Sequence, residues 1–303
     1  MYLGIDFLVT SKSELYVIEV NVGLPGGAHE YDLAHVVQLG VSSGIFDKIE
    51  RTSERVYGKP FRTYLHSLPF VESLKELKLW MDGMGPFPGV FHPGLRLEDK
   101  WNQYQLLKDS VRMPETMILN SNDPTRAETF LEARGKVVLK RRVGRGGRGF
   151  QIITDASTLP GLDLPTQPYL LQDYIESRVE SYSLSIRSVA FGGEFMCMYA
   201  NLANRPNSNH GTLAYISPSS TFGLSEKHFK TQLFNKRSWE ADIWFEGKEP
   251  LYLRHNLYEE EVAKSALNLP EPILQQIKDT SIAIERRYEE TDLSSLPKAC
   301  FEA

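Results

Sequence analysis

The stretch that most constrains this chain lies at its start, where Gly4-Ile5-Asp6-Phe7-Leu8-Val9 and Leu15-Tyr16-Val17-Ile18-Glu19-Val20-Asn21-Val22 flank the polar run Thr10-Ser11-Lys12-Ser13-Glu14. Two β-branched and aromatic runs around a short polar segment predict a β-hairpin. A turn centred between Lys12 and Ser13 sets Asp6 directly opposite Glu19, and strand alternation puts Asn21 on the same face. Carboxylates directly opposite one another in a sheet repel, so a cation between them is the natural reason to place them there. Hard oxygen donors of this kind suit Mg²⁺ or Mn²⁺, above all an ion shared with nucleotide phosphates. The plainer alternative is a polar strand face turned to water.

The chain has 303 residues and a net charge of −5, which describes a protein with a substantial core and argues against a surface committed to nucleic acid. Its two cysteines, Cys197 and Cys300, stand far apart and form no metal or redox motif, so reduced thiols in the cytoplasm are expected. No apolar run approaches the roughly 18 residues of a membrane span. Met1 leads straight into a strand, so no export leader is expected.

Along the chain, residues 23–27 read as a glycine turn that lets backbone approach a ligand closely. Residues 29–57 are helical in pattern, with Leu33, Val36, Val37, Ile45 and Ile49 apolar, Gly40 and Gly44 as weak points, and Gly58-Lys59-Pro60 as the stop. Residues 59–96 read as a connector, amphipathic through Val71, Leu74, Leu77, Leu79 and Trp80, then looped at Gly85-Pro86-Phe87-Pro88-Gly89. Glu98-Asp99-Lys100 precedes a helix through Trp101, Tyr104, Leu106 and Leu107, and a second helix over 124–133 precedes a strand at 137–140. The basic loop Arg141-Arg142-Val143-Gly144-Arg145-Gly146-Gly147-Arg148-Gly149 then runs into the strand Gln151-Ile152-Ile153. Strand, glycine loop, strand is not the P-loop order. It is a hairpin whose free N–H groups, with Lys140 and the arginines, can fold over phosphates. An RGG-type RNA-binding tip is the alternative, but such tracts sit in disordered repeats and this one is held between apolar strands. Tyr169-Leu170-Leu171-Gln172-Asp173-Tyr174-Ile175 reads as a buried strand, and residues 182–189 and 195–199 as a hairpin around Gly192-Gly193. A loop rich in hydrogen-bonding groups follows, with Asn204, Arg205, Asn207, Asn209 and His210, and a last helix with Pro272 at N1 shows Ile273, Ile277, Ile284 and Tyr288 on one face.

These pieces resemble an ATP-grasp domain, similar to carboxylate-amine ligases such as D-alanine:D-alanine ligase and the glutamate-adding ligases. The resemblance rests on Asp99-Lys100 before a helix, Pro114-Glu115-Thr116 leading into a strand, and Val138-Leu139-Lys140 with its glycine loop. It rests also on a hinge strand ending in Gln172-Asp173-Tyr174-Ile175, with Glu180 downstream, and on a G-x-D-F and E-x-N pair supplied by Asp6, Glu19 and Asn21. In that family the last pair closes the domain, whereas here it opens the chain. A helix like the one from Pro272 normally runs into the G-x-D-F strand, so the order looks circularly permuted. The alternative is that residues 1–58 end one domain and the remainder begins another. Tyr199 stands where many members carry arginine, and residues 59–96 are too short for the usual acceptor-binding domain, so the substrates stay unnamed.

The resemblance implies an α+β ATP-grasp fold, two lobes sandwiching ATP, circularly permuted with the metal-binding strand pair at the N-terminus. It would comprise residues 1–58 as a metal-binding hairpin and helix of the large lobe, 59–110 as a helical connector and start of the domain, 111–173 as the small lobe with its lid, and 174–303 as the rest of the large lobe. It implies ATP with Mg²⁺ or Mn²⁺ as cofactors. Asp6, Glu19 and Asn21 would hold the metal, Lys100 and Lys140 the phosphates under a lid containing Gly144, Gly146 and Gly147, and Gln172, Asp173, Tyr174 and Ile175 the adenine, with Glu180 on the ribose. Arg187 or Arg205 would stabilise the transferring phosphoryl group, with Asn207 and Asn209 near the metal or substrate. The implied reaction is carbon–nitrogen ligation through an acylphosphate, releasing ADP and phosphate. A small-molecule kinase, or a nucleotide- or RNA-binding protein without turnover, are the alternatives. The partners so implied are a small carboxylate and an amine or short peptide, with no membrane and no nucleic acid, and a homodimer left open.

Overall fold

The computed structural model describes residues 1–23, 25–81, 91–119, 124–144, 149–158, 169–204, 211–236, 239, 243, 258–300 and 302. The N-terminal hairpin forms as the alternation requires, β1 (Leu3–Val9) pairing antiparallel with β2 (Leu15–Val22). Asp6 lies opposite Glu19, but not through the expected turn. Near the tip Phe7 pairs with Val17 and Val9 with Leu15, which centres the turn on Lys12, and Ile18 is then bulged out to restore the register at Asp6.

Residues 29–57 divide where the glycines said they would. Helices α1 (Ala28–Leu39) and α2 (Ile45–Tyr57) are separated by Gly40 and Gly44, both left-handed, and Gly58 closes α2 at φ 68°. The segment over 59–96 is not a mere connector. Helices α3 (Phe61–His66) and α4 (Val71–Met81) put Phe61, Leu65, Leu74 and Leu77 into the main core, and the Phe61 ring meets Tyr2 edge-on at 4.9 Å. The loop expected at Gly85 to Gly89 falls outside the described residues.

A 3-10 turn, Pro93–Glu98, leads into α5 (Lys100–Leu107), capped by Asp99, whose side chain accepts the Trp101 N–H at 2.9 Å. Next come β3 (Thr116–Leu119), α6 (Pro124–Arg134), β4 (Val137–Arg141), β5 (Gln151–Ile153) and β6 (Tyr169–Asp173), forming a four-stranded sheet in the order β3-β6-β4-β5. Val137, Leu139 and Leu171 pack on Ala127 and Leu131 of α6, so alternation turns Val138, Lys140, Thr116 and Gln172 to the opposite face. The hinge strand is shorter than expected, ending at Asp173 ahead of Tyr174 and Ile175.

The remaining strands are β7 (Arg178–Val179), β8 (Tyr182–Phe191), β9 (Glu194–Ala203), β10 (Thr212–Ala214), β11 (Ile216–Ser219), β12 (Gly223–Leu224), β13 (Thr231–Lys236), β14 (Tyr258–Ala263) and β15 (Leu267–Pro270). Those from β10 onward carry no alternation clear enough to be read from sequence. Among the described residues the large sheet runs β13-β14-β10-β9-β8-β1-β2, with β7 paired to β8 and β2 at its edge. The last helix, α7 (Glu271–Glu290), begins one residue before the expected start, putting Pro272 at its second position. It packs on β8, β9, β1 and β2 through Ile277, Ile284 and Tyr288, and Ser281 meets Ser188 at 2.7 Å.

The glycine turn after β2 serves the protein itself. Gly27 has φ 128°, and a Cβ there would lie 2.6 Å from Val189 Cγ2 and 3.6 Å from Arg187 Cγ. Gly27→Ala is therefore expected to lower stability by about 1–3 kcal/mol, since both the backbone conformation and the packing oppose a side chain. A denaturant midpoint equal to that of the unaltered protein would show the turn to be loose.

Candidate functional site

Asp6, Glu19 and Asn21 do share one face at the edge of the large sheet, and the structure surrounds them with cations from three separate segments. Arg187, opposite Asp6 on β8, donates through Nε and Nη2 to both Asp6 oxygens, the second bond at 2.8 Å. Asn21 Nδ2 donates to Asp6 Oδ2 at 3.3 Å. Lys100, at the first position of α5, lies 3.3 Å from Glu19 Oε1 and donates to the Gly144 carbonyl at 2.7 Å. Lys140 donates to the bulged Ile18 carbonyl at 3.2 Å. Two carboxylates thus face three cations, and the cluster carries one surplus positive charge.

The electrostatics follow from this crowding. Burial pushes the Asp6 carboxyl up, against the pull of Arg187. Burial pushes Glu19 the same way, but Lys100, Lys140 and Arg187 together outweigh it and hold Glu19 below the usual carboxylate range. Burial lowers the Lys140 ammonium to about 8, with Glu19 restoring part of the loss and Lys100 adding to it. A lysine poised there binds an anion best when charged. If phosphate is its partner, nucleotide affinity is expected to be flat below about pH 8 and to weaken by up to about tenfold per unit above it. Lys140→Arg should abolish that slope, because an arginine stays charged throughout. Calorimetric ADP titrations between pH 7 and 9.5 check this, and a flat profile for the unaltered protein would detach Lys140 from the phosphates.

The Asp99-Lys100 pair divides its labour. Asp99 is fully buried and takes Arg142 at the base of the glycine loop, through Nε at 3.0 Å and Nη2 at 2.7 Å, while also accepting the Cys300 N–H at 3.1 Å. Gln172, on the same small-sheet face as Lys140, donates to Thr116 Oγ1 at 2.8 Å. Asp173 faces the other way and pairs with Arg134 of α6. Tyr174 lies under the Lys136 ammonium, 3.5 Å from the ring centre, and Ile175 is half-buried beyond the strand. Glu180 is exposed at the turn between β7 and β8, with φ 51°, and Arg187 lies five residue steps along β8 from Tyr182, about 17 Å of strand. Gly146, Gly147, Arg205, Asn207 and Asn209 lie outside the described residues. In the turn of residues 23–27, Arg187 Nη1 donates to the Pro25 carbonyl.

Two residues that support the cluster were not singled out from the sequence. Gln103, buried three residues after Lys100, accepts the Val20 N–H at 3.1 Å and donates to the Val20 carbonyl at 2.7 Å and the Leu97 carbonyl at 2.9 Å. Glu98 accepts the Val22 N–H at 3.0 Å and lies 3.7 Å from the buried Lys78 ammonium. Among the described residues the edge of β2 thus meets these two side chains and the Arg112 carbonyl, which accepts the Val17 N–H at 2.9 Å, rather than another strand. Only the i, i+3 spacing of Lys100 and Gln103 on α5 hinted that both face one partner.

The chemistry of the donor set can be tested against a divalent cation. Asp6, Glu19 and Asn21 supply hard oxygens on one face, and the flanking Arg187, Lys100 and Lys140 match the phosphates that such a cation accompanies. The residues therefore fit a magnesium-type ion held jointly with a nucleotide.

Residues 97–221 match a family model described as an ATP-grasp domain. None of the curated proteins matches the chain. Among solved structures, a protein assigned as a gamma-glutamylcysteine synthetase from Methylobacillus flagellatus KT is similar at 8% identity and a TM-score of 0.40, over 69% of this chain and 77% of that one. The ATP-grasp ligase PsnB with a minimal precursor is similar at 14% identity and a TM-score of 0.30, over 55% of this chain and 52% of PsnB. The PsnB complex with a phosphomimetic precursor variant, Mg and ADP is similar at 15% identity and a TM-score of 0.28, over 49% and 48%. This chain thus spans about half of the PsnB chain. The lysine-bearing half of the cluster lies within the residues that match an ATP-grasp domain, the described elements form an α+β fold, and the acidic half comes from residues that precede the match.

Proposed function

We propose that the protein is an ATP-dependent carboxylate-amine ligase. One observation carries this reading: Asp6, Glu19 and Asn21 meet Lys100 and Lys140 at a single sheet edge although they come from three distant segments. Asp6, Glu19 and Asn21 would hold Mg²⁺ or Mn²⁺, which when bound neutralises the β- and γ-phosphates of ATP. Lys100 and Lys140 leave the Gly144 and Ile18 carbonyls to bind phosphate oxygens, and the Val138, Gln172 and Thr116 face receives the nucleotide base. The Arg142–Asp99 pair anchors the glycine hairpin, whose closure excludes water. Arg187, already aligned on Asp6, stabilises the phosphoryl group as a substrate carboxylate attacks it to give an acylphosphate, and an amine then displaces phosphate. In this reading residues 111–173 are the small lobe, and the large lobe is assembled from both ends of the chain in circularly permuted order. The packing of α7 beside β1 and β2 supports that order.

The test is ADP release by the purified protein with Mg-ATP and pools of amino acids and small carboxylates, each with and without amines. Release that needs both an acid and an amine is expected. Release driven by alcohols alone would make the protein a kinase, and none with any pool would make it a binder.

A further inference from the structure

β2 is the edge of the large sheet, so the outward N–H and C=O groups of Val20 have no strand to pair with among the described residues. Gln103 takes that place, its oxygen on the N–H and its nitrogen on the carbonyl, and the Leu97 carbonyl uses the second amide hydrogen. This arrangement fixes which end of the amide is oxygen, because the reverse would set oxygen against two carbonyls. Val20 is the residue between Glu19 and Asn21, whose side chains alternation sends to the opposite face from its own. Two bonds to one peptide group fix both the height of the strand and its rotation. The same helix face carries Lys100, 3.3 Å from Glu19, so one rigid turn of α5 addresses both the acid and the strand that bears it.

We propose that Gln103 is a positioning residue of the nucleotide site: its amide clamps Val20 so that Glu19 and Asn21 are presented in register with Lys100. The proposal rests on the nucleotide reading above, and it makes the ATP-grasp helix itself responsible for aligning oxygen donors that lie outside the matched domain. Gln103 touches neither substrate nor metal; it acts through the strand.

The experiment measures binding rather than turnover. Mn²⁺ affinity in the presence of saturating ADP, read by electron paramagnetic resonance, is compared with ADP affinity in EDTA, read by calorimetry. Gln103→Met, nearly isosteric but without the amide, is expected to weaken Mn²⁺ at least tenfold while metal-free ADP affinity stays within about threefold, since Lys100 and Lys140 are untouched. If that variant does not fold, Gln103→Asn, which draws the amide back by one methylene, should show the same split with a smaller loss. Unchanged Mn²⁺ affinity, or equal losses of Mn²⁺ and metal-free ADP binding, would overturn the proposal by making Gln103 dispensable or merely structural. An unaltered protein that binds no ADP with or without Mn²⁺ would overturn the nucleotide reading and the proposal with it, and the unaltered control separates that result from failure of the clamp alone.

Discussion

Glu19→Ala is expected to lower Mg²⁺-dependent turnover by a factor on the order of 10² or more while the fold is kept. Glu19 keeps 25% of its side chain exposed, so its truncation removes little packing. What it removes is one of two carboxylates set against Lys100, Lys140 and Arg187. With Glu19 gone, a divalent ion loses a ligand and the phosphates lose the counter-charge that the ion brings. Lys100 at the same time is released from its acid, so ADP binding in EDTA should hold or strengthen. That opposition of signs distinguishes a metal ligand from a structural ion pair, whose loss would weaken everything together. Phosphate-release kinetics and metal-free calorimetry on one preparation check it, and undiminished turnover would remove Glu19 from the site.

Asp99→Ala should have the largest effect on stability. Asp99 is fully buried, caps α5, and is the ion-pair partner of an Arg142 that is itself only 8% exposed. Deleting one member of a buried pair leaves the other charge uncompensated, typically about 3–5 kcal/mol, and the lost cap is part of the same damage. For a chain of this size the melting temperature should fall by on the order of 5–10 °C. Asp99→Asn keeps an acceptor for the Trp101 N–H and should lose clearly less. Equal melting temperatures for the two variants would mean that the charge, lost in both, accounts for the damage and the cap adds nothing, and a melt unchanged in Asp99→Ala would mean that Arg142 finds water.

The sequence by itself determined the local grammar of the site. Alternation along β2 put Glu19 and Asn21 on one face, and glycines at 40, 44 and 58 marked the helix ends, because these features depend only on near neighbours. Even the turn error was harmless, since the Ile18 bulge absorbed the one-residue slip that would otherwise have turned the acids to the other face. The core role of Phe61 and Leu65 was not legible, because a short helix shows less than two full turns of periodicity and its burial depends on what packs above it. Nor could periodicity tell that Asp173 would turn to Arg134 rather than to the face that carries Lys140 and Gln172. Above all, only the tertiary structure decided that Gln103 and Glu98 close the edge of β2 and that Arg187 takes both oxygens of Asp6. Those contacts join residues more than seventy positions apart, and a glutamine among helix formers looks the same in sequence whether it meets solvent or the backbone of a distant strand.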